Sequence, residues 1–117
     1  MTKVYLAGSF KHYGTLRKIQ QQFIDAQIEC LLSSPDANQG IEGCLQRIDQ
    51  SDITFIVNFD GYVGKSVTLD IGYALGVDKP IYALEPISDP DITHLICGVK
   101  SVNQLIDLIH SSASTRP

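Results

Sequence analysis

One short segment constrains the fold of this chain more than any other. Ile53 to Val57 reads ITFIV, an apolar run of the kind found in a strand that is covered on both faces. Strands buried on both faces belong to parallel sheets whose connections are helices. We therefore expect this run to be the central strand of an α/β sheet.

Patterns on either side of this run alternate between strand and helix about five times. Strand-like segments occur at Lys3 to Ala7, Ile28 to Leu32, Pro80 to Leu84 and, more weakly, around Ile96. Segments with helical spacing are Tyr13 to Ala26, Gly40 to Gln50, Ser66 to Val77 and Ser101 to His110. The alternation predicts a parallel sheet with helices on both faces, which binds ligands beyond the carboxyl ends of its strands.

Length and composition limit the possible classes of protein. The 117 residues suffice for one domain, and the final residues 111–117 are polar and predict a disordered tail. With a net charge of −4 and no basic stripe, a nucleic acid polymer is not an expected partner. No leader, membrane span or clustered metal ligands are visible, so we expect a cytoplasmic protein without membrane contact, metal or cofactor.

The predicted helix from Ser66 to Val77 carries a single charged side chain, Asp70. An unpaired carboxylate in apolar surroundings costs several kcal/mol, whereas the helix dipole returns only about 0.3–1 kcal/mol. Asp70 is therefore either paired or functional. A hydroxyl from the end of the first strand, such as Tyr5 or Ser9, could hold it in a cleft, although a packed core tyrosine is the more common outcome for a residue placed like Tyr5.

The loop before this helix ends in Gly64-Lys65-Ser66 and invites comparison with a phosphate-binding P-loop. The spacing fails, because position 59, where the first glycine of that motif would stand, is Phe. Two interpretations remain. Ser66 could simply cap the helix beside a solvated Lys65, or the free N–H groups, the lysine and the hydroxyl could bind one phosphate.

Other polar residues near the predicted strand ends also have two interpretations. Asp60 could close an Asx turn before Gly61 or bind a sugar hydroxyl, and Asn58, two residues earlier, is a second candidate for a sugar contact. Glu42 and Arg47 could line the cleft, but their spacing on a short helix is more typical of exposed side chains.

Three segments resemble the nucleoside 2-deoxyribosyltransferase superfamily, including its small 2'-deoxynucleoside 5'-phosphate N-hydrolase branch. They are VYLAGSF, SDITFIVNFDG and SVTLDIGYALGVDKPIYAL. The resemblance covers nearly the whole chain. It implies one such domain over residues 1–110, a flavodoxin-like three-layer sandwich with a five-stranded, mostly parallel sheet, and a homodimer or higher homo-oligomer.

The resemblance also implies a chemistry. Family members cleave an N-glycosidic bond with a Glu nucleophile, and that position is Asp70 here, with Tyr5 as its hydrogen-bond partner. Gly8, Ser9 and Phe10 become the substrate-lining turn, with Phe10 against the base. The acid/base Asp of the transferases maps to Gly64, so protonation of the base would need another donor. The hydrolase branch has a phosphate-binding Ser there, and Gly64-Lys65-Ser66 could play that part. We therefore expect Lys65, Ser66 and Ser9 to hold phosphate and Asn58 and Asp60 to contact the sugar.

Two functions follow as hypotheses. The first is cleavage or transfer at the N-glycosidic bond of a nucleoside 5'-monophosphate or (deoxy)nucleoside through the Asp70 carboxylate. The second is a non-catalytic module of the same fold that binds a nucleotide or a nucleotide sugar. The replacement of Glu by the shorter Asp is what keeps the second hypothesis open, because a nucleophile misplaced by about 1 Å can lose about a hundredfold in rate.

Overall fold

A computed structural model describes residues 2–33 and 40–114 of the chain. Its strands are β1 Lys3–Ala7, β2 Glu29–Leu32, β3 Ile53–Ile56, β4 Ile81–Ala83 and β5 Gly98–Val99. Its α-helices are α1 Tyr13–Asp25, α2 Gly40–Gln50, α3 Lys65–Gly76, α4 Pro90–Thr93 and α5 Val102–Ser114. A 3-10 helix, Phe10–His12, precedes α1.

The five strands form one sheet in the order β2-β1-β3-β4-β5, and every pairing between neighbours is parallel. This confirms the predicted flavodoxin-like α/β architecture. The ITFIV segment is the central strand, and Thr54, Phe55 and Ile56 are fully buried within it.

Alternate residues of β1 supply the two cores. Val4 and Leu6 pack with Phe23 and Leu105 on the face covered by α1 and α5. Tyr5 and Ala7 belong to the opposite core, which α2 and α3 cover with residues such as Ile48 and Ile71. The two-residue period of a strand therefore places Tyr5 on the same side of the sheet as α3.

Strand order also locates the crevice. The chain leaves β1 for β2 on one side, and β3 lies on the other side, so the connections diverge at the carboxyl ends of β1 and β3. The two strands end together, since Ala7 is in register with Ile56 and the Val57 N–H donates to the Ala7 carbonyl at 2.8 Å.

Some boundaries differ from those predicted. Helix α5 continues to Ser114, so residues 111–114 belong to a helix rather than to the predicted tail, and 115–117 lie outside the described residues. Strand β5 begins at Gly98, two residues after Ile96, and α4 forms between β4 and β5, where the patterns of helical spacing indicate no helix. Ser34, Pro35 and Asp36, whose residue types predict a turn after the second strand, lie outside the described part of the chain.

Within residues 2–33 and 40–114, the helices are all too short or too polar to cross a lipid bilayer.

Candidate active site

A cleft of about 830 Å³ opens at the carboxyl ends of β1 and β3. Its walls come from the segments that follow these strands and from α2 and α3. Most of the predicted site residues line it: Tyr5, Gly8, Ser9, Phe10, Asn58, Gly64, Lys65, Ser66 and Asp70. Asp60 is not part of the lining, so the structure separates it from the other predicted residues.

Asp70 lies in the second turn of α3, on the face that Val67, Ile71 and Ala74 turn toward the sheet. Only 4% of its surface is exposed, and Oδ1 has no hydrogen-bond partner among the described residues. Burial raises the pKa of this carboxyl from 3.8 to about 7, because a low-dielectric environment disfavours the charged form. At neutral pH the group can therefore exist in either protonation state.

Tyr5 does not form the predicted hydrogen bond with Asp70. Its hydroxyl lies 3.0 Å from the Ser33 Oγ instead, and its side chain is almost completely buried. Burial first, and the nearby Asp70 charge second, raise the pKa of the Tyr5 phenol. The tyrosine is thus neutral and within electrostatic reach of Asp70, but its hydroxyl is directed elsewhere.

The turn after β1 is tightly packed. A Cβ on Gly8 would lie 2.8 Å from Leu16 Cδ2 and 3.2 Å from the Val57 carbonyl oxygen, so glycine allows the close approach of β1, α1 and β3 here. Ser9 is not a partner of Asp70 either, since its Oγ accepts a hydrogen bond from the Lys11 N–H at 3.2 Å and caps the 3-10 helix.

Aromatic rings stand at the rim of the cleft. Phe10 is 46% exposed and contacts Tyr13 edge-on, with 6.3 Å between ring centroids. Tyr62 is 74% exposed on the loop after β3. Both side chains therefore have free surface on which a planar ring could stack.

The loop after β3 is held by Glu85, which follows β4. Asn58 Nδ2 donates to the Glu85 carbonyl at 2.8 Å, and the Glu85 N–H donates to Asn58 Oδ1 at 3.1 Å. The backbone N–H of Asp60 donates to Glu85 Oε1 at 3.2 Å, and Asp60 adopts a φ of 57°. Asn58 lines the cleft, but its amide is occupied in joining two loops, and Asp60 is a turn residue.

Helix α3 begins one residue earlier than predicted. Its N-cap is Gly64, which has no side-chain cap, so the predicted cap by Ser66 is wrong. Ser66 instead lies in the first turn next to Lys65, and both are exposed residues of the cleft wall. Free backbone N–H groups, an ammonium group and a hydroxyl therefore adjoin one another, which is the combination that suits an anion.

Sequence reasoning missed one wall of the cleft. Ser33, Cys44 and Arg47 line it from β2 and α2, with Arg47 Nη1 donating to the Ser33 Oγ at 3.3 Å. Arg47 was expected to be exposed, yet it is only half exposed, whereas Glu42 is exposed and does not line the cleft. The spacing of Cys44, Arg47 and Ile48, at i, i+3 and i+4, was the available signal.

Comparison with known proteins bears on the fold. No protein-family model matches the chain, and no curated protein matches it in sequence. Among solved structures, a 2-deoxyribosyltransferase from Bacillus psychrosaccharolyticus matches with a TM-score of 0.71 at 20% identity, over 91% of each chain. The CMP N-glycosidase of Clostridium botulinum matches with a TM-score of 0.64 at 14% identity, over 94% of this chain and 99% of that chain.

A third match is the Vibrio vulnificus NanR protein in complex with ManNAc-6P. The TM-score is 0.64 at 16% identity, over 94% of this chain and 47% of that chain. Identities this low establish a shared fold. The predicted fold is thus confirmed, and this chain shares it with the 2-deoxyribosyltransferase and the CMP N-glycosidase.

Proposed function

We propose that the chain cleaves, or transfers the sugar across, the N-glycosidic bond of a nucleoside 5'-monophosphate or (deoxy)nucleoside, with Asp70 as nucleophile. The observation that supports this most directly is the buried carboxylate in the wall of a large cleft, without a hydrogen bond to Oδ1. Perturbed carboxylates in clefts are concentrated at functional sites. Two proteins of known structure that share the fold are a 2-deoxyribosyltransferase and a CMP N-glycosidase.

The proposed reaction has two displacements. The ionised Asp70 carboxylate attacks the anomeric carbon while the bond from that carbon to the base nitrogen breaks, leaving a glycosyl ester on Asp70. Water or a second nucleobase then attacks the same carbon, loses a proton, and releases the carboxylate. The departing base takes up a proton, and because Gly64 cannot supply one, that donor is a different group or water.

A phosphate on the substrate accounts for the positively charged side chains that line the cleft. Although the chain carries a net charge of −4, Lys11, Arg47 and Lys65 all line the cleft. We assign the phosphate to Lys65, Ser66 and Ser9, which adjoin the start of α3 and the turn after β1. Phe10 would pack against the base, and Asn58 would lie near the sugar while holding its loop.

The direct test is base release. A panel of nucleosides and nucleoside 5'-monophosphates is incubated with the protein, and free base is measured by chromatography. We expect release from at least one compound and a loss of about a hundredfold or more in Asp70→Asn. Thr68→Val is a matched control on the same helix, since among the described residues Thr68 Oγ1 donates to the backbone oxygen of Gly64 alone, and Thr68 does not line this cleft. Release that persists in Asp70→Asn contradicts the assignment of the nucleophile.

The second candidate is a binding module without chemistry. The observation that favours it is the shorter Asp70 side chain, whose Oδ1 is covered, together with the fold shared with the NanR protein in complex with ManNAc-6P. A thermal-shift screen with the same panel detects it. A ligand at 100 times its dissociation constant stabilises the protein by about 2.7 kcal/mol, and a shift without base release would favour the module.

We further propose a cytoplasmic homo-oligomer. The three cysteines are free thiols, which fits a reducing compartment.

A shallow apolar groove along α3, bordered by Tyr62, Leu69 and Gly72, leaves 51% of Leu69 exposed and adjoins the cleft through Gly64 and Lys65. Light scattering coupled to gel filtration would give the mass, and Leu69→Glu should yield monomers. A monomeric wild-type protein would contradict the proposal.

A further inference from the structure

Ser33 lies at the centre of a small polar cluster in the wall of the cleft. Its Oγ is 3.0 Å from the Tyr5 hydroxyl, 3.2 Å from Cys44 Sγ and 3.3 Å from Arg47 Nη1. Ser33 is itself 5% exposed. These contacts join β1, the end of β2, and α2.

The hydrogen-bond donors and acceptors around the Ser33 hydroxyl can be paired consistently. Arg47 can only donate, so one lone pair of the Ser33 oxygen accepts from its guanidinium. The other lone pair can accept the Tyr5 O–H, and the Ser33 O–H can then be directed to the Cys44 sulfur. In this arrangement both lone pairs and the proton of the Ser33 hydroxyl are used, and the phenolic proton of Tyr5 is directed to Ser33.

Asp70 lies close enough for its charge to act on Tyr5, yet Oδ1 receives no hydrogen bond from any described residue. A phenol beside a buried carboxylate would ordinarily donate to it, because charge-assisted hydrogen bonds are the stronger ones. We propose that Ser33 is a positioning residue that holds the Tyr5 hydroxyl away from Asp70 and thereby keeps the Asp70 carboxylate free of a protein donor.

Holding the Tyr5 hydroxyl away from Asp70 has a consequence for catalysis, and this consequence rests on the proposed function. A carboxylate that accepts a hydrogen bond is a weaker base and a poorer nucleophile than one that does not. By occupying Tyr5, Ser33 would preserve the reactivity of Asp70 until a ligand fills the cleft. The other titratable or charged side chains that line the cleft with Asp70 and Tyr5 are Lys11, His12, Cys44, Arg47, Tyr62 and Lys65.

The test measures the Asp70 pKa in the free protein, by NMR titration of the ¹³C-labelled aspartate carboxyl groups. In Ser33→Ala the Tyr5 hydroxyl loses its partner and can donate to Asp70, so the Asp70 pKa should fall by about 1 to 2. Ser33→Thr keeps the hydroxyl and should retain the wild-type value. Thr54→Val, which removes a buried hydroxyl that does not line the cleft, should also leave it unchanged.

Two further variants complete the test. Tyr5→Phe alone should leave the Asp70 pKa near its wild-type value, because the wild-type phenol does not donate to Asp70. Tyr5→Phe combined with Ser33→Ala should show no fall. An unchanged Asp70 pKa in Ser33→Ala would overturn the proposal. A rise of about 1 or more in the Asp70 pKa of Tyr5→Phe would also overturn it, and this second measurement does not depend on whether Ser33→Ala folds.

The titration needs no substrate, so it is independent of the proposed activity. Should base release be found, the acid limb of the pH profile of kcat/KM should move to lower pH in Ser33→Ala and return in Ser33→Thr. If the pKa falls as expected while no compound releases base, the proposed function fails and the role of Ser33 stands.

Discussion

Asp70 determines how this protein should respond to pH. Its pKa rises from 3.8 to about 7 on folding because the carboxyl is buried. The native state therefore binds a proton more tightly than the unfolded state. The resulting stabilisation is fully present below pH 3.8 and is lost as the pH rises through about 7.

We accordingly expect Asp70→Asn to become more stabilising, relative to the wild type, as the pH rises. Between about pH 4.5 and 8 the difference in unfolding free energy should grow by about 2 to 4 kcal/mol. Urea unfolding of both proteins across this range measures it. Other carboxyl groups contribute equally to both curves and cancel, so parallel curves would show that the Asp70 pKa is not raised.

Thr54 is a second buried polar group without a partner. Its Oγ1 lies in the central strand and has no hydrogen bond among the described residues. Thr54→Val keeps the shape and removes the unpaired hydroxyl, so the free energy of unfolding should rise by about 1 kcal/mol. Chemical denaturation measures the change.

Ser51→Ala is the matched control for Thr54→Val. Ser51 is equally buried, but its Oγ donates to the Arg47 carbonyl at 2.7 Å. Removing that hydroxyl should lower the free energy of unfolding by about 1 kcal/mol. The same sign for both substitutions would contradict the contrast between a paired and an unpaired hydroxyl.

At the residue scale, a charge inside an apolar segment was enough to single out Asp70 from the sequence. The contact between Tyr5 and Ser33 was not accessible in this way. It joins residues 28 positions apart and depends on where α2 places Cys44 and Arg47. Periodicity identifies which face of an element is buried, but not which polar group meets another across two elements.

At the element scale, helix ends were harder to predict than helix cores. The apolar positions of α2 predicted its bounds correctly, whereas α5 continues through Ser111 and Ser112, where the apolar pattern has stopped. For α4, the signals were present but unused. Asp89 accepts a hydrogen bond from the Asp91 N–H at 2.8 Å and Pro90 occupies the first turn, a common helix start.

Adding a single methyl group at the junction between β1 and α1 should lower the stability of the protein. In Gly8→Ala the new Cβ would press on Leu16 and on the backbone oxygen of Val57, so we expect a loss of about 1 to 3 kcal/mol in stability. Gly14→Ala is the matched control in the first turn of α1, where a Cβ meets no atom within 4 Å. It should stabilise the protein by about 0.5 kcal/mol. Equal effects in thermal unfolding would contradict the close approach at Gly8.

At the scale of the whole molecule, alternating patterns predicted the parallel sheet, and the rule for such sheets predicted where the cleft lies. The order of strands in the sheet cannot be predicted from any local sequence pattern. It emerges from which helices cover which face, and it brings the ends of β1 and β3 together although Ala7 and Ile56 are 49 positions apart in the chain. The spacing of Cys44 and Arg47 indicates a shared face of α2, but only the strand order places that face and the end of β2 in the wall of the cleft.

Charge is also distributed unevenly over the molecule. An acidic chain with Lys11, Arg47 and Lys65 in its cleft should bind anions locally and lose affinity as salt screens them. Calorimetric titration with a nucleoside monophosphate should show weaker binding at about 0.5 M than at about 0.05 M salt. Lys65→Gln should reduce both affinity and salt dependence, while Lys18→Gln, on the exposed side of α1, should change neither. Salt-independent binding would contradict a phosphate contact.

The borders of the sheet have a consequence for handling the protein. Its two outer strands, β2 and β5, are only four and two residues long. Each offers few unpaired backbone groups to a neighbouring molecule, and the Lys3–Glu29 ion pair, at 3.8 Å, adds charge beside β2. Concentrated solutions should therefore resist the strand-to-strand association that leads to fibrils, and seeding with preformed aggregates should have little effect.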